Sequence, residues 1–165
     1  MPLPTDVAIR RAAPADAEAL TRLHLDCWDD AFTGLMPQEI LDARRDDVAG
    51  RVDRWRATLA NGNTSVAEHE SGLIGFVNAA PGTELPDLEI QLFALYVRAA
   101  WWGTGVGHAL FVTGVGDRSA CLWTLESNGR ANQFYERQGF RLDGAGRDEA
   151  YGRIVRMVRE ARSGG

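Results

Sequence analysis

Three alternating glycines, Gly103, Gly105 and Gly107, stand between an apolar, strand-like run (Ile90–Val97) and a helix-like segment, residues 108–115. A strand feeding a glycine turn that opens a helix suits a phosphate-bearing ligand. The first helical N–H groups have no intrahelical acceptor, and the aligned peptide dipoles make that end positive. Glycines let phosphate oxygens reach backbone amides that a Cβ would shield. What the loop lacks narrows the ligand. No lysine follows the glycines, which excludes a nucleoside triphosphate loop of the GxxxxGK[ST] kind. A dinucleotide loop of the GxGxxG kind fails too, because His108 stands where the third glycine belongs and no acidic residue ends a second strand at the usual distance. The alternative reading of the same glycines is a helix start that needs tight packing.

A second set of residues decides between the two. Residues 121–125 are apolar and strand-like, Asn128 can cap a helix beginning at Arg130, and Gly139 can end it. Asn128, Ala131, Phe134, Tyr135, Gly139 and Phe140 form the pattern N-x-x-A-x-x-F-Y-x-x-x-G-F. This pattern resembles the second signature of the GNAT superfamily of N-acetyltransferases. The glycines after Leu95-Tyr96-Val97 resemble that superfamily's coenzyme A diphosphate loop, [QR]-x-x-G-x-[GA], with Trp102 at the Gln/Arg position. Two motifs in the right order and spacing carry more weight than either alone. The resemblance covers the second half of the chain well and the first half loosely.

The resemblance implies an α/β GNAT fold: one domain over residues 1–165, with a central mixed, mostly antiparallel sheet flanked by about four helices. Its fourth and fifth strands would splay apart, and the pantetheine arm would lie in the gap. It also implies an acetyl-CoA-dependent N-acetyltransferase acting on a primary amine, small molecule or peptide. Backbone groups of Leu95, Tyr96 and Val97 would meet the pantetheine and the acetyl carbonyl. The N–H groups of Trp102, Gly103, Thr104, Gly105, Val106, Gly107 and His108 would hold the diphosphate, and Asn128 would hydrogen-bond along the arm while also capping its helix. Tyr135 falls at the family's general acid. A phenol with a reference pKa of about 10 stays protonated where a thiol near 8.5 needs a proton on leaving.

The base is less marked. The fourth-strand position where many relatives carry glutamate is Gln91, which cannot accept a proton. Strand alternation puts Glu89 on the same face, so Glu89 through a water chain is the expected base, equally readable as a solvated carboxylate. Glu126 is the runner-up. On the substrate side, Trp28-Asp29-Asp30-Ala31-Phe32-x-Gly34-x-x-Pro37 resembles a pattern recurrent in bacterial members. Trp28 and Phe32, with Asp29 and Asp30, could recognise a cationic amine; a solvated helix face is the preferred reading of the acidic pair. The substituted Gln91 and Trp102 motivate a second hypothesis, a degenerate domain that binds coenzyme A without catalysis. The retained Tyr135 and Asn128 oppose it.

These residues need a scaffold of ordinary size. The chain has 165 residues, 45% hydrophobic and 25% charged, which suits one globular domain. A net charge of −5 argues against nonspecific nucleic-acid binding. No apolar run is long enough to span a bilayer, and the N-terminus lacks a secretory pattern, so we expect a cytoplasmic protein without membrane partners. Cys27 and Cys121 read as buried free thiols, and His24, His69 and His108 lack metal spacing, so no metal is expected. All 18 basic residues are arginine, which a G+C-rich coding bias explains; the chain therefore has no lysine of its own to acetylate.

Hydrophobic periodicity and breakers predict β-αα-βββ-α-β-α-ββ. A first strand covers residues 7–11, a helix residues 14–32, and a second helical region, divided near Asp46, Asp47 and Gly50, residues 37–59. Strands at 64–68 and 73–79 form a hairpin, residues 81–87 a turn, and residues 88–97 the fourth strand. Residues 121–125 are the fifth strand and residues 130–138 a helix. A closing hairpin pairs residues 140–142 with 149–158 around a turn at Asp143-Gly144-Ala145-Gly146, and residues 159–165 form a frayed tail. That hairpin could pair across a homodimer, the assembly the resemblance implies.

Overall fold

The computed structural model describes residues 1–82 and 84–163. Seven strands form one mixed sheet in the order β1-β2-β3-β4-β5-β7-β6. The strands are β1 (Ala8–Arg11), β2 (Thr64–His69), β3 (Gly72–Pro81), β4 (Ile90–Val97), β5 (Ala120–Leu125), β6 (Arg141–Glu149) and β7 (Gly152–Arg159). Five α-helices accompany them: α1 (Ala17–Phe32), α2 (Gln38–Ala43), α3 (Val48–Leu59), α4 (Val106–Gly114) and α5 (Gly129–Arg137). Every neighbouring pair is antiparallel except β4 and β5. The α/β architecture is the expected one, with the second helical region resolved into α2 and α3.

The sheet is covered on both faces. On one side α4 and α5 bury Val106, Leu110 and Phe111 against Ile90, Leu92 and Leu122. On the other, Ala17, Leu20, Leu23 and Cys27 of α1 recur at helical spacing and pack with Leu59 of α3 on Val66 and Phe76. Phe76 is fully buried, so Phe76→Ala would cost about 3–5 kcal/mol. Local chemistry fixes the helix starts. Asp16 accepts the Ala13 N–H at 2.8 Å and is gripped by Arg10 of β1, which ties the entry of α1 to the sheet. Asp47 caps α3 by accepting from the Gly50 N–H.

One irregularity shapes the site. In the β3–β4 ladder Asn78 pairs with Ala94 and Ala79 with Leu92, so Phe93 is a surplus residue on β4, a bulge. Side-chain parity reverses there. Ile90 and Leu92 face α4 and, after the bulge, so do Leu95 and Val97, while Ala94 and Tyr96 face α1. Beyond Leu92 the parallel pairing of β4 with β5 also stops, after three registers ending at Leu92–Leu122.

The C-terminal hairpin departs from expectation. Its reversal is at Ala150–Tyr151, not at Asp143–Gly146, and β6 runs through the predicted turn. Residues 143–145 are a long bulge: the Asp143 carboxylate accepts the Ala145 N–H and Arg156 Nε, a local turn that does not reverse the chain. Nor is Arg159 part of a frayed tail. It is buried and ends β7, donating to the carbonyls of Gln138, Gly116 and Arg118. Gly164 and Gly165 of that predicted tail, and Thr83 of the predicted 81–87 turn, lie outside the described residues. Among the described residues no helix is long and apolar enough to cross a membrane, and no cluster of three His, Cys, Asp or Glu side chains could hold a metal ion.

Candidate active site

Where β4 and β5 part, a cavity of about 810 Å³ opens. It passes through the sheet. Leu95, Val97, Phe134 and Tyr135 line it from the α4–α5 side, and Tyr96, Trp28, Phe32 and Tyr151 from the α1–α2 side. Gly103, Gly105, Gly107 and His108 stand at its mouth. Trp102 and Asn128 also line it, whereas Thr104 and Val106 do not: Thr104 donates to the Trp101 carbonyl at 2.6 Å and Val106 is buried in the core.

The glycine loop has the predicted position, and α4 starts two residues earlier than expected, at Val106. Gly105 is the residue preceding that helix, with φ 96°. A Cβ there would meet the Pro2 carbonyl oxygen at 2.7 Å, so the N-terminal segment demands this glycine as well. Gly107 differs: a Cβ would approach only Val97 Cγ2, at an ordinary 3.8 Å. Packing therefore gives no reason for glycine at 107, and the cavity beside it does. The Trp102 indole donates to the Val97 carbonyl at 2.8 Å, which anchors the loop to the end of β4.

Tyr135 is held edge-on by Phe134 and Phe140 at the base of α5. Burial pushes its phenol well above the ordinary value, with Tyr96 adding to the shift, so it is a protonated donor at neutral pH. Burial likewise lifts the Tyr96 phenol, to about 12, although the Arg44 guanidinium pulls it down. Asn128 is buried, and its Oδ1 caps α5 by accepting the Ala131 N–H at 3.3 Å. Asn132, four residues on, ties α5 to β5 through Thr124 and the carbonyls of Leu125 and Glu126.

The expected base, Glu89, lies away from the cavity. The Glu89 carboxylate accepts from the N–H and hydroxyl of Ser119 at the paired end of β4 and β5, and it does not line the cavity. Those hydrogen bonds lower its pKa. Glu89 and Gln91 lie upstream of the Phe93 bulge, at the end of β4 that pairs with β5 and is closed to the cavity. Gln91 is buried and accepts from the Cys121 thiol at 3.1 Å. Glu126 is exposed beside Arg153 and also lies off the cavity.

Comparison with known proteins gives this geometry a family. Residues 60–142 match the acetyltransferase (GNAT) domain. The probable N-acetyltransferase Rv2775 of Mycobacterium tuberculosis is 30% identical over 146 residues, spanning 86% of this chain and 83% of that protein. The chain belongs to the GNAT acetyltransferase family. An aminoglycoside N(6')-acetyltransferase type 1 of Stenotrophomonas maltophilia is 35% identical over 102 residues, 62% of this chain and 61% of that one. In fold, the chain is similar to the PaiA N-acetyltransferase of Thermoplasma acidophilum, solved in complex with coenzyme A. The TM-score is 0.74 at 18% identity, over 93% of this chain and 98% of that one.

The acetyltransferase cleft also contains residues the sequence did not single out. Arg130 stacks over the Trp102 ring, 3.5 Å from its centroid, and lines the cavity. Its signal was an arginine in the first turn of a helix, where the dipole disfavours a cation. Tyr151 enters from the β6–β7 turn and meets Trp28 edge-on; a misplaced hairpin hid it. On the α1–α2 side Trp28 and Phe32 line the cleft, their rings 4.9 Å apart. Asp29 and Asp30 are taken up by the protein itself, Asp29 by Arg45 and Asp30 by Arg98 and the Ala99 N–H.

Proposed function

We propose that the protein moves the acetyl group of acetyl-CoA to a primary amine by direct attack. The observation that carries this is the parting of β4 and β5 beyond Leu92 and Leu122, with the α4 mouth at one end and Tyr135 in the gap. The freed edge of β4 offers backbone groups of Leu95, Tyr96 and Val97 to a pantetheine arm, and the amide of Asn128 meets the arm from across the cleft. The amides of residues 102–108 and the Arg130 guanidinium hold the diphosphate. An open helix N-terminus and a desolvated cation both favour anionic oxygens.

The acceptor amine enters from the α1–α2 side and attacks as the free base. Its developing ammonium loses a proton to water, since no carboxylate among the described residues lines the cleft. Tyr135 hydrogen-bonds to the sulfur and gives it a proton as the thiolate leaves. A phenol whose pKa is raised by burial stays protonated in the ground state, its hydrogen bond strengthens as charge forms on the sulfur, and the proton it gives is restored through water from the developing ammonium. Thr104 and Val106 shape the loop; their N–H groups, not their side chains, are the ligand contacts.

The test has two parts. Calorimetry should detect coenzyme A and acetyl-CoA binding to the purified chain. Incubation with acetyl-CoA and a panel of amines, read by thiol release and mass spectrometry, should yield N-acetylated product. Binding without thiol release from any amine would favour a coenzyme A-binding domain without catalysis, and absence of binding would remove the reading altogether.

A further inference from the structure

The half of the cleft that faces α1 and α2 is walled by aromatic rings. Tyr96, Phe32, Trp28 and Tyr151 line it and meet in sequence, edge to face, with centroids 6.2, 4.9 and 6.3 Å apart. The chain of rings runs from the gap between β4 and β5 out to the β6–β7 turn. Trp123 of β5 packs on the same apolar cluster and also lines the cavity. Phe93 lines it too and is largely exposed. A large apolar side chain open to solvent in a concave site is stabilised when an apolar body covers it.

Charge points the same way. A cationic ligand is held by carboxylates or by free aromatic faces. No carboxylate among the described residues lines the cavity, whereas Arg130, Arg137 and Arg147 do. Asp29 and Asp30 of α1 are held by Arg45 and Arg98. The indoles already carry cations. Arg44 lies 3.3 Å from the centroid of the Trp28 ring, and Arg147 and Arg156 lie 4.7 and 5.6 Å from that of Trp123. A second positive charge on the acceptor would meet like charge there and find no counter-ion.

The same wall is not set for an anion. Arg147 is paired with Glu149 at 2.7 Å and Arg156 with Asp143 at 2.6 Å. Apolar ring surface is what this half offers, and a planar uncharged ring packs well against edge-on neighbours. Because the rings begin at Tyr96, in the gap itself, the arm joining such a body to the reacting nitrogen is short.

We propose, resting on the acetyl-transfer reading above, that the acceptor is an arylalkyl monoamine. It carries one primary amine on a short alkyl arm, and its uncharged aromatic body lodges among Phe32, Phe93, Trp123 and Tyr151.

Matched amines test it: phenethylamine, n-butylamine, phenylalanine, spermidine and an aminoglycoside, each with acetyl-CoA and the intact protein. Values of kcat/KM are compared at equal free-base concentration, since only the neutral amine attacks. Phenethylamine should exceed n-butylamine by about tenfold or more, the scale of burying one further ring, and should exceed the other three as well. Phe93→Ala and Tyr151→Ala should each lower the ratio of phenethylamine to n-butylamine several-fold. Phe93 is largely exposed, so its removal leaves the core intact, and calorimetry with coenzyme A reports on the cofactor half. Equal values for phenethylamine and n-butylamine would overturn this inference and leave the acetyl-transfer reading standing. So would a higher value for phenylalanine, spermidine or the aminoglycoside, or an aromatic preference that survives both substitutions. No thiol release with any amine would overturn both.

Discussion

The Arg130 guanidinium of α5 lies flat over the Trp102 ring of the glycine loop, 3.5 Å from its centroid. The loop pattern of the family carries glutamine or arginine where this chain has tryptophan. Under the proposed reading, Arg130 takes over from another element the polar contact that position would make, with the indole as its platform. Arg130→Gln should weaken coenzyme A binding about tenfold and flatten its dependence on salt, measured by calorimetry at two ionic strengths. Pantetheine, which lacks the diphosphate, should bind parent and variant alike. Equal coenzyme A affinity in the two proteins would make the stack purely structural.

In the proposed mechanism Tyr135 protonates the departing sulfur. Tyr135→Phe keeps the ring contacts with Phe134 and Phe140 and removes only the donor. Turnover should drop by about 10²-fold or more, the range of general acid catalysis, with coenzyme A affinity preserved. Steady-state kinetics paired with calorimetry separates the two quantities; a variant that turns over like the parent would take the role away.

Gly107 should show stability and binding moving in opposite directions. Its Cβ position is free of close contacts, and its φ is not in the left-handed region. Gly107→Ala should therefore raise stability by about 0.4–1 kcal/mol through the unfolded chain. The added methyl points into the mouth of the cleft, where it should lower coenzyme A affinity. Denaturant unfolding and calorimetry on the same sample measure both. A stabilised variant with unaltered affinity would place the diphosphate elsewhere.

His24 makes acid stability predictable. Its ring lies among Trp28, Trp55, Phe76 and Tyr96, and burial, aided by the charges of Arg44 and Arg51, pulls its pKa from 6.5 to about 3. Between those values the unfolded chain binds a proton that the folded chain refuses. The stability is whole above pH 6.5 and declines as the pH falls, by about 1.4 kcal/mol per unit, or roughly 2 kcal/mol by pH 5. His24→Phe should lose that dependence, so its unfolding free energy should change less than the parent's over this interval. Parallel curves for both proteins would mean that other groups set the acid limb.

The order of helices and strands could be read because breakers and periodicity act locally. Gly139 ends α5 with φ 93°, and the Asp46–Asp47 stretch does divide the second helical region. The errors came from features that need a partner strand. Asp143-Gly144-Ala145-Gly146 has the composition of a reversing turn, but β7 pairs on both sides of it and leaves it a bulge. Glu89 shares a face with Gln91 as alternation gives, but its engagement by Ser119 comes from the start of β5, which the local sequence does not show. That the glycine loop, Asn128 and Tyr135 meet at one cleft was legible, because two local motifs carry them. Arg130 and Tyr151 were not, since each owes its position to contacts made across the fold.

The extra residue at Phe93, 62% exposed at the edge of the cleft, divides β4 into two territories. Upstream, inward positions serve the interior and tolerate little; downstream, alternate side chains open to opposite sides of the cleft, which the proposed mechanism assigns to the donor behind and the recipient in front. Evolution or a protein engineer could therefore retune which recipient is preferred at Ala94 and Tyr96 while leaving the donor's track at Leu95 and Val97 intact.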